Sequence, residues 1–470
     1  MHPSALELLH PDGSAPVAVV HGDGPESLLA RSLGREPTGA PDLVLLTPSP
    51  GQRSDGAWTA EAVDLANGVG PDGLVVAVAP TGRLRGELAR GGLQPELRLL
   101  HVPNVLESRY VFPLHGPAAR YALRRLVPLH PVKRVASRLL AAPGAGLVAP
   151  TTVVFRRPGA RPLLEWLSAL DGRGEPGTAI VRRGWHPVNR TVVHRFGPGP
   201  EPDAVVKLGA NVPAEARALT AFGAAAQSAH AAIPRLVAEG EVGGVPLLVE
   251  NPLPGTPAPG MLRHRPGAVG RLLRIVAAWL AEWNAATADV RPFEHDDAER
   301  HVLARARRVA PLWPGGAAHV AHLEHLCARA VGTNLPFVTA HNDLTSANVL
   351  LDHDGRVGIV DWERSADQCL PLGDLAYAAA DLAAAVHGYR DRPAAYSACF
   401  EPGGEFSAIT SELLLKASSS YGIDARGVEL CLHACWLLHA ENERNLTHFE
   451  DLDERPFLEI LKRAAAGAPT

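Results

Sequence analysis

The sequence predicts an α/β amino-terminal domain followed by an α+β domain with a small β-rich part and a larger helical part. Three observations point there. Over residues 1–150, short apolar runs alternate with segments long enough for helices. Over 175–255 the runs turn β-prone and are separated by Gly/Pro-rich turns. Over 256–470 apolar residues recur at three and four spacing, the period of a helix buried along one face. The 470 residues also exceed the roughly 250 to 300 at which a single core stops growing, so more than one domain is required.

In the first domain, Val17 to Val20, Leu43 to Leu46 and Leu74 to Ala79 are the expected strands of a small parallel sheet. The turn His21-Gly22-Asp23-Gly24-Pro25-Glu26 bears glycines but is no full dinucleotide fingerprint, and Pro25 suits a helix start. The stretch Thr81 to Leu88, then Gly91 to Pro95, resembles the late helix and strand of S-adenosylmethionine-dependent methyltransferases. That resemblance implies a degenerate methyltransferase-like domain with no assigned activity, because the domain is short and no acidic residue closes its second strand to grip a ribose. A small structural or docking domain fits the same residues. Arg120, Arg124, Arg125, Lys133, Arg134 and Arg138 follow as a basic stretch. It reads as a solvated linker helix, with an anionic surface or a partner as the alternative.

The second region opens with strand-like Thr191 to Arg195 and Asp203 to Leu208. The second of these holds Lys207. Of 45 basic residues only four are lysines, Lys133, Lys207, Lys416 and Lys462, so each invites a question. A compact ammonium reaches phosphate oxygens as a point charge, which a planar guanidinium does differently. Pro213 to Leu219 starts a helix whose first turn holds Glu215, a position the helix dipole also favours in a purely structural role. The loop Arg183 to Arg190 has no Gly-x-Gly-x-x-Gly; Asn189 and Arg190 could contact phosphate or serve simply as turn residues. Leu247 to Gly255 reads as a short buried strand running into an extended connector, and Pro246 just before it fits a strand's first position.

Helices are then expected over Arg271 to Ala286, Asp297 to Val309, Ala317 to Val331, Leu372 to Val386, Ser411 to Ser418 and Val428 to Asn445. Among them lies the segment richest in chemistry, Thr339 to Glu363. Val349 to Leu351 and Arg356 to Val360 are β-prone around Asp354-Gly355, a two-residue hairpin signal. Equal spacing from that turn makes Asn348 and Asp361 cross-strand partners, with Cβ atoms roughly 5 Å apart. Two hard oxygen donors so placed suit Mg²⁺, which takes one or two protein oxygens and keeps waters or phosphates. Asp343, on the loop entering the hairpin, could accept a proton.

His341, Asp343, Asn348 and Asp361 resemble the His-x-Asp-x-x-x-x-Asn, hairpin, Asp pattern of the aminoglycoside phosphotransferase and choline kinase-like family, which has the bilobal protein-kinase-like fold. The resemblance implies that Asp343 is the catalytic base and that Asn348 and Asp361 hold Mg²⁺ against the phosphates of ATP. It implies that Lys207 holds those phosphates with Glu215 as its ion-pair partner. Backbone groups around Val249 and Glu250 would meet the adenine at the hinge between lobes. Asp374-Leu375-Ala376 is similar to a second acidic motif whose Asp buttresses the catalytic loop. On this basis 175–255 is the nucleotide lobe and 256–470 the helical lobe with the substrate site.

The expected function is therefore transfer of the γ-phosphate of ATP to a hydroxyl of a small molecule: an amino sugar, an amino alcohol or a sugar. An acidic cluster, Glu441, Glu443, Glu450, Asp451, Asp453 and Glu454, beside His439 and His448, could receive a cationic acceptor or form a solvated face. The alternative is a catalytically silent kinase-like protein that binds nucleotide or docks a partner; a third reading fuses an active methyltransferase to the kinase. A formal charge of -5 gives no support for nucleic-acid binding. No stretch approaches the roughly 20 apolar residues of a membrane span, and no basic segment leads into an apolar run at the start, so a cytoplasmic location is expected. The five cysteines suggest neither a disulfide framework nor a metal motif, and Cys431 and Cys435, at helical spacing, read as buried packing.

Overall fold

Each apolar run expected as a strand in the amino-terminal region forms one: β1 (Ala18–His21), β2 (Leu43–Leu46) and β3 (Leu74–Val78), parallel to one another in that order. The computed structural model describes residues 7–9, 12, 18–21, 40–49, 51–102, 110–123, 152–171, 178–183, 191–262, 267–446 and 454–467. β2 and β3 are buried along their whole length because both faces are covered, the usual reason for continuous apolar runs. Leu43, Leu45, Leu74 and Val76 feed one core. Val44, Leu46, Val75 and Ala77 face the other, against Trp58 and Ala62 of helix α1 (Gly56–Asn67) and Leu84 and Leu88 of α2 (Gly82–Arg90). Thr81 caps α2 by accepting from the Leu84 amide at 3.2 Å.

The sheet is parallel only over those three strands. β4 (Gln94–Val102) runs antiparallel to both β5 (Tyr110–Pro113) and β6 (Thr152–Arg156), and β6 also pairs antiparallel with β3. A parallel sheet throughout is therefore not what forms: strands that meet antiparallel need no helical crossover. β5 then pairs with β7 (Thr178–Arg183), and β8 (Thr191–Phe196), β9 (Ala204–Leu208), β11 (Val245–Glu250) and β10 (Leu236–Val242) follow in that spatial order. Among the described residues this makes one sheet of 11 strands, drawn from the regions 1–150 and 175–255 and from β6 between them. β11 begins one residue earlier than expected, so Pro246 is its second residue; β9 pairs only from Leu247 onward, and the missing N–H costs no bond there.

The chain divides into two units, Met1–Ala216 with Arg235–Pro252, and Arg217–Pro234 with Leu253–Thr470. The first holds the sheet and the first turn of helix α3 (Val212–Ser228).

The second unit is mainly helical, as its periodicity predicts. Its long helices are α4 (Gly267–Thr287), α5 (Gly316–Ala330), α6 (Gly373–Val386), α7 (Arg392–Phe400), α8 (Ser407–Tyr421), α9 (Ala425–Arg444) and α10 (Pro456–Ala466). The helix expected over Asp297 to Val309 forms from His295 to Val309, with a π-helical stretch at Glu299–Leu303. α6 is buried almost end to end, and its alanines let α4, α7 and α9 pack against it. Two three-stranded sheets complete the unit: β12 (Thr256–Pro257) with β15 (Val349–Leu351) and β16 (Val357–Ile359), and β13 (Asp289–Pro292) with β14 (Asn334–Ala340) and β17 (Ala366–Cys369). No described helix is long and apolar enough to cross a membrane.

Candidate active site

The hairpin after Asn348 forms, but its register differs by one residue from equal spacing about Asp354-Gly355. Val349 pairs with Ile359, Leu350 with Gly358 and Leu351 with Val357. The partner of Asn348 is accordingly Val360, whose amide donates to the Asn348 carbonyl at 3.0 Å. Asp361 is not the cross-strand partner of Asn348; it lies one residue further. The cause is local turn chemistry. Asp352 closes a three-residue loop by accepting from the amides of Asp354 and Arg356, both at 2.8 Å, and Gly355 takes the left-handed position at φ 81°.

The displaced carboxylate keeps a defined place. Asp361 has φ 77°, a conformation that costs a non-glycine residue strain and clusters at functional sites. It leads into the short turn Trp362–Arg364, where the buried Trp362 indole donates to the Ile359 carbonyl at 3.0 Å and packs edge-on to His341 at 4.9 Å.

The loop from His341 to Asn348 leaves β14 and is pinned from beneath by α6. Asp374 accepts from the His341 amide at 2.7 Å and the Asn342 amide at 2.9 Å. This is the buttress the second acidic motif implied. Seven residues along, two turns of the same helix face, Asp381 accepts from the Ser346 amide at 2.7 Å. Asp381 is itself fully buried, held by Arg392 at 3.0 Å and the Tyr389 hydroxyl at 3.0 Å. No local motif marks Asp381, though it is the second carboxylate in an otherwise largely apolar helix.

Inside the loop, His341 Nδ1 accepts from the Asp343 amide at 3.3 Å while Nε2 lies 3.0 Å from the Val360 carbonyl. Those partners require the Nε2–H tautomer. Asn348 Nδ2 donates to the Asp343 carbonyl at 2.9 Å, which fixes the amide so that its Oδ1 is the remaining acceptor. Asn348 Oδ1 and the Asp361 carboxylate are hard oxygen donors of the kind Mg²⁺ takes, so this donor set fits the ion implied by the resemblance. Burial, with added repulsion from Asp361, Asp381 and Glu363, pushes the Asp343 carboxyl up to about 7, Arg364 opposing.

The first unit carries a separate cluster. Strand alternation turns Val206 and Leu208 into the main core and Lys207 to the opposite face, where α3 begins. Lys207 Nζ lies 2.5 Å from Glu215 and 3.0 Å from Glu250, with both carboxylates buried. Lys207 sits opposite Leu248, and Glu250 is two residues further on that same face of β11. The second carboxylate is a finding, since only the backbone of Glu250 was expected to matter. Val249 points to the other face, in the core, and both residues lie in a strand flanked by β9 and β10. Asn189 lies outside the described residues, as do Arg190, Glu450, Asp451 and Asp453.

Two members of the acidic cluster have structural partners. Glu441 pairs with Arg308 and, at 3.4 Å, with Arg305. Glu443 accepts from the amides of Phe457 and Leu458 at 3.2 and 2.9 Å, satisfying the start of α10.

Residues 174–403 match the sequence profile of the phosphotransferase enzyme family. No curated protein sequence matches the chain. Among solved structures, the chain is similar to a thermostable mutant of an aminoglycoside phosphotransferase at 16% identity, covering 62% of this chain and 95% of that one with a TM-score of 0.41. A macrolide 2'-phosphotransferase from Brachybacterium faecium is similar at 18% identity, 65% and 97% coverage and a TM-score of 0.37. A choline kinase from Cryptosporidium parvum is similar at 13%, 61%, 87% and 0.37.

Proposed function

We propose, on the premise that residues 174–403 form a phosphotransferase-family domain, that the protein is an ATP- and Mg²⁺-dependent kinase acting on a hydroxyl of a small molecule. The observation that carries this reading is the Asp343 loop: a half-buried carboxyl on a backbone held by Asp374 and Asp381, beside two hard oxygen donors. Asp343 in its ionised form takes the proton of the acceptor hydroxyl, or orients that hydroxyl, as its oxygen bonds to the γ-phosphorus and ADP departs. Such assistance is typically worth about 10² to 10⁴ in rate, and positioning with charge neutralisation carries most of the remainder. Mg²⁺ held by Asn348 Oδ1 and Asp361 would neutralise phosphate charge. Lys207, oriented by Glu215, would hold the phosphates. The acceptor class is an amino sugar, an amino alcohol or a sugar, and a cytoplasmic location belongs to the same reading.

The test is Asp343→Asn in the full chain, with nucleotide titration beside single-turnover transfer to a panel of hydroxylated amines and sugars. Nucleotide binding should persist and transfer should vanish. An Asp343→Asn protein that turns over normally would sink the proposal.

A further inference from the structure

We infer that α5 and α9 together carry a zinc site built from His322, Glu429 and His433, with His319 as its outer support. His319 and His322 are three residues apart on α5, and Glu429 and His433 four apart on α9, so each helix presents its pair on one face. The helices pack against each other, and His322 Nε2 lies 2.9 Å from Glu429 Oε1, with His433 Nε2 4.0 Å from the same oxygen. One ligand atom from each of the three residues falls within 4.8 Å of the others. Zinc bonds of about 2.0 to 2.2 Å put tetrahedral ligand atoms about 3.3 Å apart, a spacing that 2.9 and 4.0 Å bracket.

The second nitrogen of His433 is also accounted for. Its Nδ1 lies 3.3 Å from His319 Nε2. With an ion on Nε2, the Nδ1–H donates to His319, the outer contact that metal-bound histidines characteristically make. Two imidazoles and one carboxylate suit Zn²⁺ with a fourth position left for water. Side-chain exposure of 32% at His322 and 24% at Glu429, against 5% at His433, gives an ion entry from solvent onto a buried floor. None of these residues belongs to the Asp343 or Lys207 clusters, so the role is a clasp between two helices of the second unit.

The experiment is calorimetric titration of chelator-treated full-length protein with Zn²⁺, paired with thermal unfolding and with Co²⁺ absorption in the visible. One tight ion per chain is expected, with a raised midpoint of unfolding and the strong bands of low-coordinate Co²⁺. His322→Ala and Glu429→Gln should abolish the tight ion, and His319→Ala should weaken it by roughly 10- to 100-fold at unchanged stoichiometry. His322 is partly exposed and Glu429→Gln keeps the shape, so circular dichroism and the metal-free midpoint should match the parent. Absence of a tight ion in the parent overturns the site, as does binding unchanged in both His322→Ala and Glu429→Gln.

Discussion

Lys207 is held by two buried carboxylates, and an ammonium is compact enough to serve both; on the proposed reading it also presents charge to a phosphate. Lys207→Arg keeps the charge but spreads it over a plane. The chain should fold, and KM for ATP should rise about tenfold or more, since a tenfold change is only about 1.4 kcal/mol of contact; an unchanged KM would refute a phosphate role. Lys207→Met removes the ammonium from between Glu215 and Glu250, and urea unfolding should show a loss of about 3 to 5 kcal/mol, the usual effect of breaking a buried pair. The types and spacing of His341, Asp343, Asn348, Asp361, Lys207 and Glu215 were legible because that chemistry is written within short segments. Glu250 was not, because only the pairing of β11 with β9 brings its side chain beside Lys207.

The hairpin and α6 show how elements set the geometry of the loop. Strand positions on both sides of the turn were readable from β-prone runs, yet the register slipped by one because the Asp352 side chain closes a longer loop than Asp354-Gly355 alone suggests. Gly355→Ala places a Cβ at φ 81° and should cost roughly 1 to 2 kcal/mol in urea unfolding; a neutral result would contradict the left-handed loop. Helix α6 was readable as a helix from its apolar run, but not its two-point grip on the loop at Asp374 and Asp381. Asp381→Asn alters the partner of the Ser346 amide and of Arg392. It should lower kcat by roughly 10²-fold, the scale of a small misplacement of a catalytic group, with nucleotide Kd little changed. A fall in nucleotide affinity instead of kcat would assign Asp381 a different task.

For the whole molecule, buried histidines set the acid limit. Burial pulls His101 and His301 down to about 4, and His439, with Arg364, Arg392 and Arg305 adding repulsion, down to about 3. Each is below its value of about 6.5 in the unfolded chain. Between those limits the unfolded chain binds protons that these native histidines exclude, so their share of stability rises with pH and falls on acidification, by up to about 1.4 kcal/mol per pH unit per histidine, and outweighs the opposite contribution of the raised Asp343 carboxyl. Urea unfolding at pH 7 and pH 5 should show the loss, and a flat profile would refute it. His439→Phe, which keeps a ring against Tyr377 at 3.7 Å, should make the loss shallower. The amino-terminal region yields α2 and β4 where the methyltransferase resemblance implied a helix and strand. A titration of the full chain with S-adenosylmethionine tests whether that likeness extends to binding; no heat or shift would remove it. Sequence alone determined which reactive groups the chain carries, their order and most of the elements that bear them, because periodicity and turn chemistry act over a few residues. Tertiary structure decided the antiparallel strands within the first sheet, the hairpin register, the second partner of Lys207 and the grip of Asp381. Those depend on which distant segments pair and pack, and no local pattern carries that choice.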